Sequence, residues 1–170
     1  MSNNIFEQKD ELTISSTSTR FDDYIEKCSN STQVAAKFDN SDILIVPAKY
    51  DDNEYYFAQE SIDFIKFCRQ CDDSNSIDIL SDDDIKVRSL HSFDLWMPVI
   101  WVASNVVLPI VVGLVTNYIY DKLKGRENED AQIDVTFMVN RDGEEDKIIH
   151  YKGNAKTFEK TFEKIDINKL

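Results

Sequence analysis

The chain has 170 residues, 30% of them charged, with 32 Asp/Glu against 19 Lys/Arg for a net charge of −13. So acidic a chain is repelled by phosphate backbones, which sets nucleic acid aside as a partner. Three cysteines, Cys28, Cys68 and Cys71, make no disulfide framework, and four glycines supply no phosphate-cradling loop.

The acidity is uneven. Residues 1–94 hold 9 Lys/Arg and 20 Asp/Glu, whereas residues 121–170 hold 10 and 12. Residues 1–20 read as a polar arm without an apolar signal core, so a reducing, cytoplasmic setting is expected. Within the arm, ELTIS alternates well enough for a short edge strand.

A small acidic α/β part is expected over 21–94. A helix starting at Thr19 would line up Phe21, Tyr24, Ile25 and Cys28 on one stripe. DILIVP, 42–47, reads as a buried strand stopped by Pro47. NEYYFAQ fits a strand or the lead into a helix. SIDFIKFCRQC is helical, with Ser61 as N-cap and an apolar face through Ile62, Phe64, Ile65, Cys68 and Cys71. SIDIL and DIKVRSL are short strands on either side of the acidic SDDD.

From Leu95 to Tyr120 no residue is charged. Read as one long apolar helix over 95–123, the run has Asp94 as its cap and Pro98 in its first turn, while Pro109 kinks its middle. A helix of this length spans about 39 Å, enough for a bilayer core of roughly 30 Å. Trp96 and Trp101 mark one end, Tyr118 and Tyr120 the other, and Lys122, Lys124 and Arg126 follow directly, as at a cytoplasmic membrane boundary. Ser104, Asn105, Thr116 and Asn117 would be costly against lipid and ask for protein neighbours. Two readings therefore stand: a single membrane span, or a buried helix at an interface. The candidate contact residues are Trp96, Trp101, Asn105, Pro109, Gly113, Asn117, Tyr118, Tyr120, Lys122 and Lys124.

Gly125 is the expected helix stop. A compact ββα unit is expected over 131–170. Ile133, Val135, Phe137 and Val139 alternate along its first strand, and Asp142-Gly143 marks the turn. Gly153 would supply a positive φ and Asn154 a cap. TFEKTFEK then stacks Phe158 and Phe162 on one helical face, with Ile165 close by. The fold class is thus α+β: an acidic α/β part, one long apolar helix and a C-terminal hairpin plus helix.

The chemistry-bearing patterns are sparse. Cys68-Arg-Gln-Cys71 closes its helix, where the dipole disfavours a thiolate, and a zinc site would need Cys28 and His91 at spacings that fit no finger. SDDD and CDDS lack the glycine and terminal Glu of a calcium loop. His91 and His150 stand beside no recognisable nucleophile. No catalytic residue, metal or cofactor is expected.

The order of parts from Leu95 to about Ile165, with the uncharged run followed by IDVTFMVNRDGEEDKIIHYKG, resembles small effector-associated accessory proteins of bacterial conflict systems. That resemblance implies a non-catalytic role beside an effector enzyme and carries over no individual residue. The expectation is an interaction or scaffolding component, anchored to a membrane through the apolar run or bound to a protein partner. The alternatives are a homo-oligomer burying the same run by self-association, and a metal-dependent enzyme using the acidic clusters.

Overall fold

The computed structural model describes residues 11–17, 36–37, 40–49, 55–71, 74–80, 87–88, 95–104, 106–125, 130–140 and 146–164. The expected helix from Thr19, the SDDD run, Asp94, His91 and the Asp142-Gly143 turn lie outside the described residues.

Nine strands and three α-helices have both ends among the described residues, and residues 36, 37 and 40 are also helical. A six-stranded sheet runs in the order β1 (Glu11–Thr17), β9 (Asp146–Asn154), β8 (Gln132–Val139), β7 (Leu95–Val102), β2 (Ile43–Val46), β5 (Ile77–Ile79). Short strands β3 (Ala48–Lys49), β4 (Tyr55–Ala58) and β6 (Val87–Arg88) form a second sheet.

Two parallel strand pairs organise the main sheet. β2 reaches β5 through helix α1 (Ser61–Cys71), and β7 reaches β8 through helix α2 (Leu108–Leu123). Parallel neighbours need such crossovers because a tight turn cannot reverse the chain twice. The two units meet where β2 pairs antiparallel with β7. Helix α3 (Phe158–Glu163) follows a single 3-10 turn, Ala155–Thr157.

The main core lies between the sheet and these helices. Ile43, Ile45, Ile133, Val135, Phe137, Ile149 and Tyr151 face Phe64 and Cys68 of α1, Val111, Val115 and Tyr118 of α2, and Phe158 and Phe162 of α3. Leu44, Val46, Leu80, Trp101 and Met138 form a smaller buried cluster separate from it. β2 is therefore buried at every position, as its unbroken apolar sequence requires.

The long apolar helix over 95–123 does not exist. The uncharged run is cut in two, a strand over Leu95–Val102 and a helix over Leu108–Leu123. The prolines show why. β7 and β8 change register between Trp96 and Val99, so Met97 and Pro98 stand against the single residue Val135. A bulge of this kind tolerates a residue without an N–H. It also shifts the alternation: Leu95 and Met97 enter the main core before it, Ile100 and Val102 after it. Pro109 falls in the first turn of α2, where a missing donor costs nothing, instead of kinking a helix interior.

No described helix is long and apolar enough to cross a membrane, so the single-span reading is withdrawn. The chain's own sheet and helices bury most of the run. The C-terminal hairpin is likewise no separate ββα unit. β8 and β9 pair antiparallel, but β8 also pairs with β7 and β9 with β1, inside one continuous sheet. The sheet dominates, so the fold is mixed α/β in place of the expected α+β assembly.

Smaller expectations separate in the same way. Gly125 has φ +83° just beyond α2, and the Asn154 side chain accepts from the Lys156 N–H at 2.8 Å. Gly153 continues β9 opposite Ile133 instead of forming a turn. Ser61 is fully buried, and its hydroxyl has no hydrogen-bond partner, so it caps nothing.

Candidate interaction site

Helix α2 lies between α1 and α3 and presents three surfaces. Its sequence explains them: apolar residues at helical spacing fill the core face, and uncharged residues occupy the rest.

Toward α1 the contact is polar at its centre. The Tyr118 hydroxyl donates to Glu60 Oε2, with Glu60 itself nearly buried just ahead of α1. Lys122 Nζ stands 3.8 Å from the same oxygen and 3.3 Å from Asp63 Oδ2. Phe64 and Phe67 each set a ring edge-to-face against Tyr118, with centroids 5.3 and 5.4 Å away. Burial first, and then the hydrogen bond to Glu60, push the Tyr118 pKa well above the usual tyrosine value. The hydroxyl is thus held as a donor. This cluster joins two helices: Tyr118 and Glu60 are buried at its centre, and Lys122 and Asp63 extend from it to solvent.

Toward α3 a groove of about 500 Å³ opens. Thr116, Ile119, Leu123, Ala155 and Phe158 supply its apolar lining, and the exposed Tyr120, Lys124, Lys156 and Glu159 complete it. The volume lies in the range that accepts a small molecule or a few side chains. The groove exists because the 3-10 turn, held by Ala155 N–H on Ala131 O and by the Asn154 cap, brings α3 in at the far end of α2.

The outer surface carries Val106, Pro109, Ile110, Gly113, Asn117 and Tyr120, all exposed and none charged. Val106, Ile110 and Tyr120 are 79%, 40% and 67% exposed. Their spacing places them along one stripe of the helix. Nothing lies within 4 Å of where a Gly113 Cβ would stand, so the stripe is open at its middle.

The expected contact residues are thus redistributed. Tyr118 and Lys122 meet Glu60, while Tyr120 and Lys124 line the groove. Pro109, Gly113 and Asn117 lie on the outer stripe. Trp96 and Trp101 are in β7, Trp96 half-buried with its carbonyl accepting from the Glu60 N–H, and Trp101 buried in the smaller cluster. They form no aromatic belt with the tyrosines. Asn105 lies outside the described residues. Glu60, Ala155, Lys156, Phe158 and Glu159 had no role in the sequence reading of the uncharged run. They come from 35 or more positions away, and no local pattern links them to α2.

Elsewhere, His150 Nε2 is 2.8 Å from Asp134 Oδ1 across β8 and β9, a half-exposed cross-strand pair. Cys68 is buried and Cys71 exposed at the end of α1. Cys28, His91 and the aspartates 82–84 lie outside the described residues. Among the described residues, no group of three or more His, Cys, Asp or Glu side chains is placed to hold a metal ion. No family model, curated protein or solved structure matches the chain.

Proposed function

We propose that this protein is a non-catalytic interaction component that docks a protein partner along α2. One observation carries the reading: in a chain with 30% charged residues, the exposed stripe from Val106 to Tyr120 has none, and it leads into an apolar groove. Uncovered apolar stripes bordered by polar residues are the usual mark of a contact surface. Lys124 and Lys156 outnumber Glu159 in the groove lining, against the strongly negative charge of the whole chain. The partner segment that fits is an apolar anchor beside an Asp or Glu.

An accessory role beside an effector enzyme agrees with this reading, as does a reducing, cytoplasmic setting for the free thiols of Cys68 and Cys71. Peptide display against the full chain tests it. Selected peptides should pair an apolar residue with an acidic one, and Thr116→Trp or Lys124→Glu with Lys156→Glu should abolish their binding. Peptides that bind these variants unchanged would remove the groove from the function.

A further inference from the structure

The two edges of the main sheet are finished differently. At β5 the Leu80 N–H bonds to Ile45 O, so the backbone of Ile77 and Ile79 faces away from β2. Both of those outward carbonyls are taken. Arg69 donates to Ile77 O at 3.2 Å and Lys37 to Ile79 O at 2.8 Å, and both side chains also pair with Asp78. A three-residue edge, capped by two cations, cannot accept another strand.

At β1 the outward groups follow from the register. The Ala155 N–H bonds to Ala131 O, which continues the β8–β9 pairing and marks the odd-numbered residues of β9 as bonded to β8. Its even-numbered residues therefore bond to β1, through Glu11, Thr13, Ser15 and Thr17. The backbone N–H and C=O groups of Leu12, Ile14 and Ser16 point away from the sheet. Among the described residues nothing bonds to them. The strand ELTISST has no proline, no lysine and no bulge, the devices that protect an edge. Ile14, at its centre, is 42% exposed.

We propose that β1 pairs antiparallel with β1 of a second copy of this chain, about a two-fold axis at Ile14. That register engages every outward group: Ile14 exchanges both bonds with its own counterpart, and Leu12 does so with Ser16 of the second copy. It sets the two Ile14 side chains side by side and places Glu11, the only charged residue of the strand, opposite Thr17. Shifting the axis by one residue in either direction shortens the overlap. The result is a twelve-stranded sheet across the dimer.

Light scattering and sedimentation of the full chain over a wide concentration range test the pairing. The expected mass is twice the 19.7 kDa of one chain. Ile14→Pro removes an N–H that β9 does not use, and Ile14→Glu sets two carboxylates face to face; each should weaken the dimer by about tenfold or more while the monomer keeps its circular dichroism. Hydrogen exchange on the unaltered chain supplies the readout that needs no variant. The amides of Leu12, Ile14 and Ser16 should become protected as concentration rises. A chain monomeric throughout, a dimer indifferent to both substitutions, or a dimer whose Leu12, Ile14 and Ser16 amides exchange freely would overturn the proposal. So would a monomer that accepts an extended peptide at β1 but never its own kind.

Discussion

The Tyr118 hydroxyl and Glu60 Oε2 lie 2.5 Å apart, and this hydrogen bond joins the helix of one crossover unit to the start of the other. The residues are 58 positions apart in sequence. With Lys122 at 3.8 Å, the carboxyl is both bonded and charge-compensated inside the α1–α2 seam.

Removing the donor exposes the cost of burying that carboxyl. Tyr118→Phe should lower stability by about 1.5–3 kcal/mol, the range for a lost bond to a charged group. Glu60→Gln keeps an acceptor and should cost less. Urea unfolding of Tyr118→Phe, Glu60→Ala and the double variant gives the coupling, because each single change removes the bond; additive losses would show that the bond contributes nothing.

The same bond has a pH signature. The folded-state pKa of Tyr118 is raised, so the folded chain holds this proton more tightly than the unfolded one. The stabilisation is fully present below the ordinary tyrosine value of about 10 and is lost as pH rises above it. Stability measured from pH 8 to 11 should fall more steeply for the unaltered chain than for Tyr118→Phe. Parallel curves would exclude Tyr118 as the cause.

Ser61 gives the opposite sign. Its hydroxyl is buried without a partner at the first turn of α1, where alanine is the better helix former. Ser61→Ala should stabilise the chain by about 0.5–2 kcal/mol, by removing an unsatisfied polar group. A loss of stability in thermal unfolding would mean that the hydroxyl has a partner after all.

Two glycines should respond oppositely to alanine. Gly113 lies mid-helix with open space around it, and Gly113→Ala should add about 0.5–1 kcal/mol through helix propensity alone. Gly125 has φ +83° in equally open space, so Gly125→Ala should cost about 1–2 kcal/mol of backbone strain. Denaturant midpoints check both.

The thiols of the C-x-x-C pair should behave independently. Cys71 is exposed and Cys68 is completely buried on the core face of α1. Under native conditions a thiol reagent should modify Cys71 while leaving Cys68 intact until the chain unfolds, as peptide mass mapping would show. Equal labelling rates would place Cys68 outside the core.

Period was the readable quantity in this sequence. Ile133, Val135, Phe137 and Val139 alternate, and they face the core from β8. DILIV is short and apolar, and it is the buried β2. Phe158 and Phe162 are four apart, and they meet at 4.7 Å over Phe137 and Tyr151. The run from Leu95 to Tyr120 has no usable period, because its strand is buried on both faces and the exposed stripe of its helix carries no charge to mark it. Without polar residues to mark a face, an apolar strand followed by an apolar helix reads as one long helix. The bulge at Pro98 removed the last trace of alternation. The α2–α3 groove and the Tyr118–Glu60 bond were equally hidden, since each joins residues with no local relationship.

By itself the sequence determined the short-range features: the β2 and β8 strands, the α1 helix, the glycine stop at Gly125 and an uncharged segment that had to be covered. These follow from side-chain polarity and backbone freedom, which act over a few residues. Only the tertiary structure decided what covers that segment, where it breaks, which of its residues stay exposed and, among the described residues, which strands end the main sheet. Those outcomes depend on parallel pairing between strands 30 or more positions apart, and no local pattern carries that register.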